Sequence, residues 1–377
     1  MDVHISTPFL IGLTGTIGSG KSLVRKMLEH LGAMGVDADR LAQDGMLPGK
    51  PAHAEIITVF GKHVLAENGK IDRAKLGEIV FAQPAALKKL ESILHPCVSM
   101  EISAIQRACP LPVMVLEAIK LFESDLAGMC NSIWVVEASL EVVYKRLERS
   151  RAMSRAQMDA RLAQQMPASE MKEHAQVMIC NNGLLDATWK RIKSAWQALP
   201  LQHASLQEMK AHLDLPEILT PEPQIISWMR TVLHKLPESE LRLIFRHKDI
   251  NAATLDELLG DEALTAAILM SFFLRMPGGD LAMVELEHFT CQVRKFLNTA
   301  SENGQECFYD CVTELEAFAR ARCCRQVGLP AHEGNHAMLS SLGYERTLVA
   351  HTPQEGYNKE EYHYYIKSLP GYSYDVN

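Results

Sequence analysis

Residues Gly15-Thr16-Ile17-Gly18-Ser19-Gly20-Lys21-Ser22 fit the pattern G-x4-G-K-[ST]. In such a loop the glycines let backbone N–H groups turn inward around phosphate oxygens, where side chains would collide. The pattern gains weight when a strand precedes it and a helix follows. PFLIGLT (8–14) is a short apolar run suited to a buried strand, and Leu23, Val24, Met27, Leu28 and Leu31 recur at helical spacing. The helix adds its partial positive charge to the loop. All eight residues are candidate nucleotide contacts. Lys21 would reach the β- and γ-phosphates, and the Ser22 hydroxyl would ligate Mg2+. The plain alternative is a glycine-rich turn with a surface lysine, which the flanking strand and helix disfavour.

The pattern continues as alternating strand and helix. AMGVDAD (33–39), PVMVLEAI (112–119), SIWVVEA (132–138) and VMIC (177–180) read as buried strands. Helical patterns cover about 140–166 and 186–198, and a charged helical stretch runs to His95-Pro96. The expected fold is α/β: a P-loop nucleotide kinase-like parallel sheet flanked by helices. LPEILTPEPQ (215–224) packs three prolines into ten residues, which suggests a boundary. The expected division is therefore residues 1–200, a linker over 201–224, and a second, α+β domain over 225–377. Within the latter, 225–320 reads mostly helical, though FLRMP is followed by Gly278-Gly279 and then the mixed run LAMVELEHF, and LGYERTLVAHT (342–352) reads as a turn into a strand.

Composition narrows the function classes. Net charge is −8, concentrated in the second half, while the first 200 residues are close to balanced. An acidic half is a poor surface for nucleic acid, and phosphate ligands suit the first half better. No apolar run reaches the length that crosses a bilayer, and MDVHISTPFLIGLTG lacks the features of a signal peptide. The 9 cysteines form no paired framework, which fits reduced thiols and a cytoplasmic protein.

A phosphate loop alone leaves kinases, GTPases and ATPase motors open. Val36-Asp37-Ala38-Asp39 ends the second strand, so one carboxylate can project beside the loop and take the proton from an acceptor hydroxyl; the plain alternative is an ordinary acidic loop cap. LTGTIGSGKS, VDADRLAQD, PGKPAHAEIITVFG, AENGKIDRAKLGEIVF and LHP then follow in order over 13–96, with LFES, RLERSR, ARLAQQ and NNG beyond. This series resembles the dephospho-CoA kinase family to about residue 198. The resemblance implies transfer of the ATP γ-phosphoryl group to the ribose 3′-hydroxyl of dephospho-CoA, with ATP and Mg2+ as cofactors. It further implies a substrate-binding helical insertion and a mobile lid.

Carried over residue by residue, Asp37 matches the family's general base and Thr14 a residue beside the acceptor phosphate. Asp39, Lys75 and His95 fall in acceptor-binding segments, although His95 before Pro96 also reads as a helix-end cap. Arg161, sharing a helix face with Gln165, could reach the transferring phosphate or simply face solvent. Asn181, Asn182 and Gly183 match the segment lining the adenine side. The chain departs from the family at Thr16, Leu23, Gln176 and Cys180, and at Ile119 and Lys120, where the family usually has Pro and Leu. The lid arginine falls at Ser150 and is supplied by a neighbour, Arg151 in preference to Arg149. Two alternatives stay open: a kinase for another nucleoside or small metabolite, and a non-catalytic nucleotide-binding regulator.

In the second half, a short helix, Leu342-Gly343-Tyr344 and a strand resemble the end of a GNAT acyltransferase domain. Arg325-Gln-Val-Gly328-Leu-Pro330 stands at the expected pyrophosphate loop but ends in proline, and Leu339 replaces an expected tyrosine. The resemblance thus implies a degenerate domain that stabilises the protein or binds a partner. Cys307, Cys311, Cys323 and Cys324 with His332 and His336 lack the tight cysteine pairs of a zinc site. Tyr362, Tyr364 and Tyr365 read as an ordinary half-buried strand.

Overall fold

A computed structural model describes residues 7–200, 215–234, 236, 241, 244–245, 254, 257–276, 281–287, 289–297, 304–347 and 362–369. The first unit opens with β1 (Phe9–Thr14), α1 (Lys21–His30), β2 (Met34–Asp37) and α2 (Ala38–Gly45). A helical insertion follows: α3 (Pro51–Phe60), α4 (Arg73–Ala82) and α5 (Pro84–Ala108). Next come β3 (Val113–Glu117), α6 (Leu126–Met129) and β4 (Ser132–Glu137). The lid helices α7 (Leu140–Arg151), α8 (Arg155–Leu162) and α9 (Ala168–Glu173) precede β5 (Val177–Cys180) and α10 (Leu185–Gln197).

The five strands form one parallel sheet in the order β2-β3-β1-β4-β5. Successive residues of β1 serve opposite faces, as the strand period of two requires. Leu10 packs with Val36, Leu41, Ile102 and Leu116 on one side. Ile11 and Leu13 pack with Val24, Leu28, Trp134 and Trp189 on the other. Both faces are covered, which is why these strands read as continuous apolar runs rather than alternating ones. The register sets Asp37 beside Glu117 and Glu117 beside Leu13. The ends of β1, β2 and β3 are therefore level at the edge where such sheets bind ligands.

Three local expectations are corrected. The second strand stops at Asp37, because its side chain accepts a hydrogen bond from Arg40 N at 3.0 Å and starts α2 at Ala38. Helix α5 does not end at His95-Pro96 but runs through Pro96; packing of Leu90, Ile93, Val98 and Ile102 outweighs the backbone bond that proline removes. The expected helix over 140–166 is two helices, broken at Ala152, whose φ is +48°.

The second unit comprises β6 (Glu217–Ile218), α11 (Pro223–Leu233), α12 (Asp261–Met270), β7 (Phe272–Arg275), β8 (Leu281–Glu287) and β9 (Thr290–Leu297). It continues through α13 (Gly304–Ala321), β10 (Gln326–His332), α14 (His336–Ser341), β11 (Glu345–Thr347) and β12 (Tyr362–Ser368). Its seven strands run β11-β12-β10-β9-β8-β7-β6, antiparallel except where β9 meets β10. Helix α13 lies against one face and α11 and α12 against the other.

The α+β class is as expected, but the stretch read as mostly helical holds the three strands β7 to β9. A short apolar run such as FFLR carries no period that separates strand from helix. β6 and the start of α11 fall inside the expected linker, whose residues 201–214 lie outside those described. Arg325–Pro330 enters strand β10 rather than forming a loop, and a Cβ on Gly328 would meet the Tyr364 hydroxyl at 2.4 Å. Among the described residues, no group of three potential metal ligands occurs; the side chains of Cys307 and His332 lie outside them. Tyr365 is fully buried on β12. No described helix is long and apolar enough to cross a membrane.

Candidate active site

The loop between β1 and α1 depends on its glycines. Gly15, Gly18 and Gly20 have φ of +148°, +77° and +97°. A Cβ on Gly15 would lie 2.2 Å from Val136 O, and one on Gly20 would lie 2.1 Å from Asn181 Nδ2. Thr16 is not among the residues with positive φ, so a β-branched side chain is tolerated there. The ammonium of Lys21 donates to Gly15 O at 2.8 Å and Thr16 O at 3.2 Å. Its side chain is buried. Burial lowers its pKa, against the raising effect of the Glu117 and Asp39 carboxylates.

Behind the loop, Ser22 Oγ donates to Glu117 Oε1 at 2.7 Å, and Arg25 Nε donates to Glu117 Oε2 at 2.8 Å. Arg25 also pairs with Glu29 one turn further along α1 and is held charged by Glu29 and Glu117. Glu117 was not among the residues singled out from the sequence. The available signal was an acidic residue closing the fully buried strand VMVLE. The Ser22 hydroxyl beside the Glu117 carboxylate is a hard-oxygen pair that fits Mg2+, which takes few protein ligands and completes its shell from phosphates and water.

Thr14 is fully buried, and its hydroxyl donates to Ile119 O at 3.4 Å. Asp37 Oδ1 is fixed by the Arg40 N–H. Asp39 opens onto a cavity of about 530 Å³ between α2, α5 and the segment after β3. Burial away from water pushes its pKa up, with the Asp37 carboxylate adding to the effect. His95 lines the same cavity, as does Gln164 from the lid. Lys75 does not line it. Its ammonium lies 3.8 Å from Asp72 and donates to Leu65 O at 3.4 Å.

The lid rests on the loop. Ile17 packs with Val143, Leu147 and Met158, and its N–H donates to Gln165 Oε1 at 2.9 Å. Helix α8 stops at Leu162, so Gln165 reaches the loop from the turn after it. Arg151 closes α7, and its charge lowers the pKa of Lys21. Arg161 is exposed.

The segment expected beside the adenine behaves differently. Asn181 is buried: its Nδ2 donates to Ser19 O at 2.8 Å, and its Oδ1 accepts from Thr188 Oγ1 at 3.1 Å. Arg146 joins it, donating to Ser19 O at 3.2 Å and Asn181 O at 2.9 Å. Asn181 thus clamps the phosphate loop. Asn182 Oδ1 accepts from Ser139 N at 2.6 Å, and Gly183 is exposed.

A phosphate loop at the ends of a parallel sheet, two level carboxylates, a side cavity and a helical lid define a P-loop kinase. The model of the dephospho-CoA kinase family matches residues 9–186. The dephospho-CoA kinase of Geobacter sulfurreducens is 39% identical over 191 residues, which are 50% of this chain and 96% of that protein. The chain belongs to the dephospho-CoA kinase family. A solved dephospho-CoA kinase from Campylobacter jejuni is 25% identical with a TM-score of 0.38, covering 50% of this chain and 96% of its own. A solved putative N-acetyltransferase from Lactobacillus plantarum is 13% identical with a TM-score of 0.25, covering 41% of this chain and 99% of its own.

Proposed function

We propose that residues 1–200 transfer the γ-phosphoryl group of ATP to the ribose 3′-hydroxyl of dephospho-CoA, the last step of coenzyme A biosynthesis. Residues from 217 onward form a unit that stabilises this kinase. The observation that carries the reading is the level placement of Asp37 and Glu117, whose charges act on Lys21, with Asp39 two residues on lining the cavity that His95 also lines.

Lys21 exchanges its bonds to the loop carbonyls for the β- and γ-phosphate oxygens, and Ser22 with Glu117 would hold Mg2+. When bound, Mg2+ supplies positive charge against the phosphates. Asp37, oriented by Arg40 N–H, accepts the proton of the 3′-hydroxyl as that oxygen bonds to the γ-phosphorus. The bond from the γ-phosphorus to the bridging oxygen breaks, and ADP leaves with that electron pair. Asp39, Thr14 and His95 orient the acceptor. Arg151, with Arg161 after further closure, faces the transferring group and helps exclude water. Lys75 meets the acceptor only outside the cavity. Asn182 and Gly183 line the adenine side, while Asn181 holds the loop. Such an enzyme works in the cytoplasm.

Release of ADP in the presence of dephospho-CoA tests the reading. Asp37→Asn is expected to lower kcat by about 10²–10⁴-fold while ATP still binds. Near wild-type turnover in that variant would remove the role given to Asp37. ATP binding without turnover of any acceptor would favour a regulator.

A further inference from the structure

The cavity that Asp39 lines is mostly apolar, walled by side chains such as Leu87, Leu90 and Leu94. Its carboxylates are Asp39 and Glu91, and among the described residues Lys120 is the one lysine or arginine that lines it. Lys120 follows β3, at a position where the resemblance to the family calls for leucine. Its ammonium donates to Glu91 Oε1 at 2.7 Å and lies 3.3 Å from Glu123 Oε2. The side chain is 41% exposed, so it retains room to move on its flexible stem.

The proposed acceptor brings its own charge. Its 3′-hydroxyl must reach Asp37, and the same ribose carries the 5′-diphosphate. With Asp39 two residues from Asp37 and lining the cavity, that diphosphate enters a space already holding two carboxylates. An apolar wall offers nothing to offset the charge, and a buried or half-buried anion needs a cationic partner.

We propose that Lys120 determines specificity for the acceptor, leaving Glu91 to pair with the diphosphate of the incoming nucleotide conjugate. Glu91 is then a resting partner that keeps the ammonium at the cavity wall. The inference rests on the proposed function and adds a residue to it.

Steady-state kinetics on the full chain with ATP and dephospho-CoA tests it. Lys120→Leu is expected to raise KM for dephospho-CoA about tenfold, the size of one charge-assisted hydrogen bond, with KM for ATP unchanged. Lys120→Arg stays within about threefold of wild type, since the charge is kept. Glu91→Gln leaves KM for dephospho-CoA unchanged or lowers it, because the competing carboxylate is gone. An ion pair that only braces the fold predicts the opposite: Glu91→Gln would then raise KM as Lys120→Leu does. That result, or an unchanged KM in Lys120→Leu, overturns the inference alone. A wild-type chain that does not turn over dephospho-CoA overturns the function and this inference together.

Discussion

Arg322, at the end of α13, donates a hydrogen bond to the main-chain oxygen of Ala33 at 2.8 Å, just beyond the C-terminus of α1. The same guanidinium reaches Glu29 O at 3.1 Å. The second unit thus places a permanent cation at the C-terminal end of the helix whose other end forms the phosphate loop, where a positive charge is favoured. Its neighbours reinforce the contact. His30 stacks on Phe272 with ring centroids 4.5 Å apart, and Lys26 donates to Met270 O at 2.9 Å. The two cores also interpenetrate, with Leu269 in one layer of the first unit and Ala321 and Cys323 in the other.

Arg322→Met removes the donor to Ala33 O and one of two donors to Glu29 O, which keeps the Gly32 N–H at 3.1 Å. An unsatisfied group costs about 1–3 kcal/mol, partly offset because the arginine itself is desolvated and its Nε has no partner. The expected net loss is about 1 kcal/mol, read as a lower urea midpoint. Arg322→Lys should lose less. A variant as stable as wild type would show that α1 does not depend on the second unit.

Asn181→Ala tests the clamp on the phosphate loop. It removes the donor to Ser19 O and strands the buried Thr188 hydroxyl. KM for ATP is expected to rise about tenfold, with about 2 kcal/mol lost from stability, while KM for the acceptor is unchanged. Asn181→Asp should be worse than alanine, because it sets a carboxylate oxygen against the Ser19 carbonyl. Calorimetric titration with ATP reads the difference directly.

Much of the first unit was legible because its signals are local. VMIC at 177–180 is β5 as expected, and the loop needed only its glycines and flanking periods. The bond of Asn181 to Ser19 was not legible, since the two are 162 residues apart and periodicity reports neighbours only. Glu117 escaped for a related reason: its meaning lies in the pairing with Asp37 across β2 and β3. Strand β7 was hidden because Phe272, Phe273 and Leu274 are all buried, and a run buried on every side shows neither period; in β9 the alternation of buried Cys291 and Val293 with half-buried Gln292 and Arg294 is a readable strand signal.

Lys21→Met separates stability from activity. Burial holds the folded pKa of Lys21 below its ordinary 10.5. The unfolded chain therefore binds more protons between the folded pKa and 10.5, and stability rises with pH across that window. Below the folded pKa the full cost of the buried charge is present. Methionine removes the charge, so the ATP-free variant is expected to be more stable than wild type at neutral pH. That advantage should shrink as pH rises through the window. Turnover should fall about 10³-fold, as when a main electrostatic contact to the transferring group is lost. Thermal melts across pH, with and without ATP, check both halves: ATP should stabilise wild type and leave Lys21→Met nearly unmoved. A variant less stable than wild type at neutral pH would mean that the bonds to Gly15 O and Thr16 O outweigh the cost of burial.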